Sequence, residues 1–277
     1  MKLPNPAALV HATGLPPRSH LQQVIHSELI RLATLPAPPP SRHTATSAAG
    51  PFETSLRSQA LGQGGAVIAE YKQASPSLGP FAAGTPLLPQ LEAYVRGGAA
   101  AFSILAEPTH FRGSSEHLQA ARPLGVPILY KGFVISEAQL AEAEGAGAQA
   151  VLLIVRVLKG HTAAFAKAAR ARGLEPLIEL HDLTEVAMAQ TAEARLVGIN
   201  ARDLATFTLG EPTAAPLRAA FPEALLIRES GLATPEDAQR ALRAGFDAVL
   251  IGEALMRSTD PEGFLRRVFQ GLKVPVS

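Results

Sequence analysis

The stretch "ALLIRESGLATPEDAQRALRAGFDAVLIGEAL", from Ala224 to Leu255, decides the fold. Two short apolar runs, "ALLIRES" and "DAVLIGE", lie on either side of "TPEDAQRALRAGF", which has helical spacing and a glycine near its end. A strand, a crossover helix and a second strand in this order are typical of a βαβ unit. Because both runs are largely apolar, the sequence predicts parallel strands that are buried on both faces under helices.

The same unit recurs along the chain from Ala66 onward. Eight such units in about 210 residues match a single (β/α)8 barrel. A doubly wound open sheet is the competing architecture, but it usually has fewer strands and needs a glycine-rich dinucleotide turn after its first strand. The stretch "YKQASPSLG", where that turn would lie, lacks the spacing G-x-G-x-x-G. The predicted fold class is therefore α/β, a (β/α)8 TIM barrel with an N-terminal extension. The apolar runs are "AVIAEY", "AAAFSIL", "VPILY", "AVLLIV", "EPLIEL", "RLVGIN", "ALLIRES" and "DAVLIGE".

Residues 1–60 are predicted to form a helical and Pro-rich extension, followed by a barrel domain at 61–277. The segment "SHLQQVIHSELIRLATL" places apolar residues at helical spacing, with Ser19 and Gln22 in a capping-box-like start. The next segment, "LPAPPPSRHTATSAAGP", has the composition of a mobile linker. Two alternatives stay open for the extension, a helix docked on the barrel and a partly disordered tail.

The overall composition excludes several classes of partner and chemistry. The chain of 277 residues is 47% hydrophobic and has a net charge of +1, so bulk charge gives no reason to expect a nucleic-acid or membrane partner. With no cysteine, the chain has no disulfide, thiolate nucleophile or Cys-based zinc site. The sequence shows no secretory signal and no run long enough to span a bilayer. We expect a cytoplasmic protein, either a monomer or a weak homo-oligomer.

Polar residues follow the predicted strands at their carboxyl ends, where the chemistry of such a barrel takes place. Glu70 and Lys72 end the first strand, and residues two apart share a face, so both are expected to point inward. Because parallel strands share a direction, the polar strand ends converge on one mouth. Isolated surface ion pairs would not explain this convergence. The strand-end residues are Glu70, Lys72, Lys131, Glu179, His181, Asn200, Arg202, Glu229, Ser230, Gly252 and Glu253.

The mouth is expected to bind a phosphate and to carry out proton transfers. Ser230 and Gly231 lie in a tight loop before a helix, and Gly252 precedes another, so exposed backbone N–H groups could hold an anion. The alternative is that these glycines only permit tight turns. A partly buried lysine is expected to have a lowered pKa and a buried glutamate a raised one, which suits acid–base chemistry. His181, beside Asp182, is interpreted as a helix-start residue rather than a metal ligand.

Seven stretches, in order from about Ala66 to Val268, carry a family resemblance. They are "VIAEYKQASPSLG", "SILAEPTHFRGS", "ILYKGFVISEAQLAEAEGAGAQAVLLIV", "LIELHDLTEV", "GINARDLATF", "ESGLATPEDAQ" and "IGEALMR". Together they resemble the indole-3-glycerol phosphate synthase family, and the combination of E-x-K-x-x-S-P-S, K-x-F and G-I-N-x-R-D-L is specific. The resemblance implies conversion of 1-(2-carboxyphenylamino)-1-deoxyribulose 5-phosphate to indole-3-glycerol phosphate, with loss of carbon dioxide and water, in tryptophan biosynthesis. It implies a small phosphorylated substrate and no metal or organic cofactor.

The resemblance also implies roles for the matching positions. Lys131 would be the general acid that protonates the substrate ketone during ring closure, and Glu179 the general base of the later dehydration. Lys72 would bind the anthranilate carboxylate and assist proton transfer. Glu70 and Asn200 would hold the lysines and the substrate hydroxyls.

The remaining matching positions concern substrate binding. Phe111 and Phe133 match aromatic residues that pack on the anthranilate ring, although either could be core. Glu229 matches a further active-site carboxylate. The full set of substrate-binding positions is Ser75, Phe111, Phe133, Arg202, Glu229, Ser230, Gly231, Gly252 and Glu253.

The chain departs from the family pattern at three positions. Tyr130 and Gly132 replace two charged residues beside Lys131, and Ala201 replaces an asparagine. Loss of a charge there could shift the pKa of Lys131 and slow the reaction. The family's charged N-terminal helix is also replaced by a Pro-rich segment with less charge. Gly132, Ala201 and this segment motivate the alternative function, a divergent paralogue that binds a phosphorylated ligand with weak or no catalysis. A sister barrel, phosphoribosylanthranilate isomerase, fits the phosphate loops but relies on a Cys and Asp pair, and this chain has no cysteine.

Overall fold

A closed barrel of eight parallel strands lies at the centre of the molecule, which confirms the predicted fold class. The computed structural model describes residues 3–12, 19–35, 37–41, 48–75, 79–80, 86–202 and 212–272. The first strand pairs with both the second and the last, and this double pairing closes the barrel. The strands are β1 (Ala66–Tyr71), β2 (Ala101–Leu105), β3 (Ile128–Lys131), β4 (Ala150–Ile154), β5 (Glu175–Leu180), β6 (Leu196–Asn200), β7 (Leu225–Glu229) and β8 (Ala248–Ile251).

Helices connect the strands and cover the outside of the barrel. The described helices are α1 (Pro6–Ala12), α2 (His20–Leu32), α3 (Pro51–Gln63), α4 (Leu87–Arg96), α5 (Ser115–Ala121), α6 (Glu137–Ala146), α7 (Val155–Leu158), α8 (Thr162–Ala171), α9 (Val186–Thr191), α10 (Ala214–Ala220), α11 (Pro235–Arg243), α12 (Glu253–Arg257) and α13 (Pro261–Phe269). Short 3-10 turns lie at Arg122–Leu124, Lys159–His161 and Leu183–Glu185. None of the helices in the described ranges is long and apolar enough to cross a membrane.

The strand register brings polar side chains together at one end of the barrel. Glu70 in β1 pairs with Ser103 in β2, and Asn200 in β6 pairs with Glu229 in β7. Every residue of β1 is buried, as expected for a strand covered on both faces. Polar groups buried at this depth need partners, and neighbouring strands supply them.

Helix α2 of the N-terminal extension packs against the barrel. Its start is capped by Ser19, whose side chain accepts a hydrogen bond from the Gln22 backbone N–H, 3.3 Å away. Leu21 and Ile25 are buried in the same apolar cluster as the strands. Of the two alternatives for the extension, the structure has the docked helix over His20–Leu32.

Helix α3 runs across the boundary predicted at residue 60. The division into an extension and a barrel domain therefore stays a prediction. A short antiparallel pair, Ala74–Ser75 with Gly79–Pro80, follows β1 at the mouth of the barrel. Residues 76–78, between these two short strands, lie outside the described residues.

Candidate active site

One cavity of about 510 Å³ opens at the carboxyl ends of the strands. Every site residue that the sequence predicted lines it, so the structure brings the whole set together. The lining residues from that set are Glu70, Lys72, Ser75, Phe111, Lys131, Phe133, Glu179, Asn200, Arg202, Glu229, Ser230, Gly231, Gly252 and Glu253. Apolar side chains that sequence reasoning missed complete the wall, among them Leu105, Leu152, Leu232 and Leu250.

Glu70 and Lys72 form a buried ion pair at the end of β1. The Lys72 Nζ atom lies 2.9 Å from Glu70 Oε1, and Ser103 Oγ donates to Glu70 Oε2 over 3.3 Å. Burial opposes ionisation of Glu70, but Lys72, Lys131 and Ser103 outweigh it and lower the pKa of this carboxyl. The carboxylate rests against the Cα of Gly252, where a Cβ would collide with it. Gly252 therefore makes room for Glu70, a reason that the sequence did not reveal.

Lys131, at the end of β3, lies between three carboxylates. Its ammonium contacts Glu229 directly and lies 3.7 Å from Glu179 Oε2. Burial favours the neutral amine, but Glu229, Glu179 and Glu70 outweigh it and raise the pKa of Lys131 above its usual value. The expectation of a lowered lysine pKa is therefore wrong at this position. Burial without paired anions would lower the pKa, and here the anions are present.

Glu229 is the carboxyl group in this cluster whose pKa is raised. Burial raises its pKa to about 8, Lys131 opposes the rise, and Glu179 adds to it. Gly198 in β6 leaves the space that Glu229 occupies.

Phe111 and Phe133 face each other on one side of the cavity. Their ring centroids are 5.9 Å apart and the ring planes are inclined by 31°. The buried carboxylate of Glu107 shapes the loop before Phe111 by accepting hydrogen bonds from the backbone N–H groups of Thr109, His110 and Phe111. The two rings contact each other, and together they give the cavity an apolar surface, called the apolar slot below, against which a flat ring can pack.

Helix α2 reaches the loops that carry both phenylalanines. The Gln139 side chain donates to the Phe133 carbonyl, 2.9 Å away, and to Glu28 Oε2, 2.6 Å away. Ser27 Oγ lies 3.1 Å from His110 Nε2 in the other loop. Sequence reasoning missed the contacts of α2 with these loops, because Glu28 and Gln139 are 111 residues apart along the chain and Ser27 and His110 are 83 apart.

The loop after β7 has an unusual backbone. Ser230 has a φ of +62° and Gly231 a φ of +72°. A left-handed conformation is rare for a residue with a side chain and is often found at functional sites. Asn200 Oδ1 accepts a hydrogen bond from the Arg202 backbone N–H over 3.0 Å, and Arg202 pairs with Glu253 over 3.7 Å. Asn200, Arg202, Ser230, Gly231 and Glu253 all line the cavity.

The departures at Tyr130 and Gly132 are coupled. Tyr130 points away from the cavity, and its hydroxyl lies 3.2 Å from Glu142 Oε2, which also pairs with Arg31 of α2 over 2.9 Å. A Cβ on Gly132 would lie 2.7 Å from the Tyr130 ring. The nearby carboxylates raise the pKa of Lys131 and outweigh burial, which lowers it. Ala201, the third departure, is buried and donates its backbone N–H to the Glu229 carbonyl.

The sequence predicted that His181 starts a helix, but the structure gives that position to Asp182. Asp182 begins the turn at Leu183–Glu185, because its side chain accepts from the Thr184 backbone N–H. His181 instead turns inward and lies 3.4 Å from Glu179 Oε1. Within the described ranges, no three His, Cys, Asp or Glu side chains gather in a way that could hold a metal ion.

Comparisons with known proteins agree with this geometry. The family model for indole-3-glycerol phosphate synthase matches residues 21–268. The chain belongs to this family. An indole-3-glycerol phosphate synthase from Lactiplantibacillus plantarum is 43% identical over 197 residues, which cover 70% of this chain and 76% of that relative. Another, from Desulfosudis oleivorans, is 40% identical over 222 residues, 79% of this chain and 84% of the relative.

The match to the indole-3-glycerol phosphate synthase family begins within α2, well before the resemblance that the barrel motifs carry from Ala66. Solved structures outside the family share the fold alone. Tryptophan synthase subunit alpha from Legionella pneumophila superposes with a TM-score of 0.57 at 14% identity, covering 81% of this chain and 99% of that chain. A thiamine phosphate pyrophosphorylase from Pyrococcus furiosus has a TM-score of 0.53 at 14% identity, covering 74% and 94%.

Proposed function

We propose that this member of the indole-3-glycerol phosphate synthase family closes the indole ring in the cavity described above. The substrate is 1-(2-carboxyphenylamino)-1-deoxyribulose 5-phosphate, and the products are indole-3-glycerol phosphate, carbon dioxide and water. The observation that carries the proposal is Lys131, buried between Glu179 and Glu229 and beside an apolar slot. The reaction needs an acid and a base next to a flat ring, and this arrangement supplies them.

Ring closure needs an acid at the substrate ketone. Lys131 stays protonated because three carboxylates raise its pKa, so it can donate a proton to the ketone oxygen as the new carbon–carbon bond forms. Carbon dioxide then leaves from the ring carbon that carried the carboxylate. In the following dehydration Glu179 accepts a proton from the CH2 carbon of the new ring, and the Lys72 ammonium donates a proton to the hydroxyl group, which leaves as water.

The two ends of the cavity suit the two ends of the substrate. Lys72, held by Glu70 at 2.9 Å, binds the carboxylate of the anthranilate ring, and Phe111 and Phe133 pack on that ring. At the other end, the backbone of Ser230 binds the phosphate. The remaining positions bind either the phosphate or the substrate hydroxyl groups between the phosphate and the ring. They are Ser75, Asn200, Arg202, Gly231, Gly252 and Glu253. No cofactor takes part in these steps.

A direct assay tests the proposal. Purified protein is incubated with the carboxyphenylamino-deoxyribulose phosphate, and the fluorescence of the indole product is followed. We expect turnover at catalytic enzyme concentration. Tight binding of the substrate by calorimetry without turnover would instead favour the divergent paralogue. The predictions of a cytoplasmic protein and of a monomer or weak homo-oligomer are separate, and light scattering tests the second.

A further inference from the structure

His181 is a buried titratable residue that the proposed reaction does not use. It follows β5 directly, and its side chain is only 2% exposed. Neither ring nitrogen has a hydrogen-bond partner among the residues that the structure describes. Buried polar nitrogens are rarely left without partners in folded proteins, so this ring calls for an explanation.

Two carboxylates face the two nitrogens of this ring. Nε2 lies 3.4 Å from Glu179 Oε1, and Nδ1 lies 3.8 Å from Glu185 Oε2. Both distances exceed hydrogen-bond length by a few tenths of an ångström. A small rotation of the ring or of either carboxylate would make a hydrogen bond. In structures without substrate, hydrogen bonds of catalytic groups are often long and shorten in the substrate complex.

Glu185 is fixed in place behind the ring. It accepts the His181 backbone N–H over 2.7 Å and the Arg156 Nε–H over 3.2 Å. Arg156 is held in turn by Asp182, 2.7 Å away. These contacts hold the carboxylate of Glu185 behind His181, on the side of the ring away from Glu179.

Glu179 divides its two oxygens between His181 and the reaction. Oε1 faces His181, and Oε2 faces Lys131 at 3.7 Å. His181 does not line the cavity, so it touches neither the substrate slot nor the reacting atoms. Any effect of His181 on the reaction must act through Glu179.

We propose that His181 is a positioning residue, which donates a hydrogen bond from Nε2 to Glu179 Oε1 and so holds Oε2 toward the substrate. A carboxylate that is held by one oxygen presents the other in a fixed direction, as a general base requires. The inference rests on the proposed function, since it gives Glu179 the role of base.

Two substitutions at this position separate positioning from packing. The amide nitrogen of a glutamine occupies nearly the place of Nε2, and that of an asparagine nearly the place of Nδ1. His181→Gln therefore keeps a donor toward Glu179, whereas His181→Asn keeps one only toward Glu185. We expect kcat to fall about 10- to 100-fold in His181→Asn and about threefold or less in His181→Gln, with KM nearly unchanged.

A matched control and a stability measurement complete the kinetic test. His161→Asn changes an exposed histidine and should leave both kinetic constants unchanged. Thermal unfolding of each variant shows how much protein is folded under the assay conditions. If His181 only fills space, both variants lose stability to the same extent, and the molecules that stay folded have the kcat of the wild type. Equal kcat values in the two variants would overturn the proposal.

Nitrogen NMR on protein labelled with ¹⁵N-histidine provides a readout that needs no turnover. The ring signals of His181 are those absent from His181→Gln. We expect Glu179→Gln to shift the His181 Nε2 signal, because the acceptor loses its charge, and an unmoved signal would overturn the contact. If the wild-type protein shows no turnover, the proposed function fails, and the NMR comparison alone then decides whether His181 binds Glu179.

Discussion

At the scale of the residue, the charge on Lys131 follows from the carboxylates around it. A buried lysine in an apolar pocket loses its proton easily, but this one contacts Glu229 and lies near Glu179 and Glu70. Its pKa is raised, so it serves as an acid and not as a base at neutral pH. Replacement of the ammonium also leaves the carboxylates without their cation, which makes the residue important for both charge balance and catalysis.

Lys131→Met should abolish most of the activity. Methionine keeps the length of the side chain and removes the proton donor, and loss of a general acid typically reduces rates about 10²- to 10⁴-fold. The fluorescence assay measures kcat/KM for both proteins. Lys167→Met, on the exposed face of α8, is the matched control and should behave as wild type. A Lys131→Met enzyme with the wild-type rate would remove the assigned acid.

Glu229→Gln should change how stability depends on pH. The pKa of Glu229, about 8 in the folded protein, exceeds its ordinary value of 4.5, so between these values the folded state binds the extra proton. The stability that this proton contributes is full below pH 4.5 and is lost as the pH rises through 8, by up to about 1.4 kcal/mol per pH unit. Glutamine does not titrate. The melting temperature of the variant should therefore rise relative to that of the wild type as the pH is raised from 6 to 9.

A solvent-exposed carboxyl group on the same protein provides the control for the pH experiment. Glu236 lies exposed on α11, and Glu236→Gln should follow the wild-type melting curve at every pH. If Glu229→Gln runs parallel to wild type as well, the pKa of Glu229 is not raised in the folded protein.

The sequence predicted which residues meet in the cavity, but not how they affect one another. The alternation of side chains along a strand and the shared direction of parallel strands suffice to place Glu70, Lys131 and Glu179 at one mouth. The sign of the Lys131 shift depends on Glu229, which lies 98 positions further along the chain. No local pattern reports that contact, and the same is true of His181 beside Glu179.

At the scale of the element, Tyr130 and Gly132 at the end of β3 act as a pair. The tyrosine ring lies over the Cα of Gly132 and leaves no room for a side chain there. Its hydroxyl contacts Glu142 of α6, which joins the strand to the helix that follows it. The glycine beside the catalytic lysine thus accommodates the ring.

Gly132→Ala should destabilise the protein only when Tyr130 is present. Overpacking typically costs about 1 to 3 kcal/mol, and in a Tyr130→Leu background most of that cost should disappear. Urea unfolding of the four proteins in this double-mutant cycle gives the coupling energy. Gly145→Ala in α6 is the control, since its Cβ would meet nothing within 4 Å, and it should be neutral or slightly stabilising. Additive costs in the cycle would show that the two residues do not depend on each other.

Strands were easier to predict than the N-terminal helices, for a physical reason. The runs "AVIAEY" and "EPLIEL" coincide with β1 and β5, because buried parallel strands are marked by their own apolar residues. Helix α2 was visible from its spacing, but its docking depends on Glu28 meeting Gln139, 111 positions away. Local composition around residue 60 also gave no sign of α3, whose N-terminal N–H groups are capped by the distant side chain of Glu175.

At the scale of the whole molecule, α2 connects the extension to the cavity. Glu28 holds Gln139, which in turn holds the Phe133 carbonyl, and Ser27 contacts His110 beside Phe111. Both walls of the apolar slot therefore depend on a helix that lies outside the barrel.

A chain that begins at Ala48 should bind substrate more weakly than the full chain. Without α2 the loops that carry Phe111 and Phe133 lose their supports, so KM should rise about tenfold while kcat changes less. The melting temperature should also fall, because the apolar surface that Leu21 and Ile25 cover becomes exposed. A chain that begins at Ser19 keeps α2 and provides the control, with a KM close to that of the full chain. If the shorter chain keeps the full-length KM, the barrel alone builds the slot, and the contacts of Glu28 and Ser27 serve stability only.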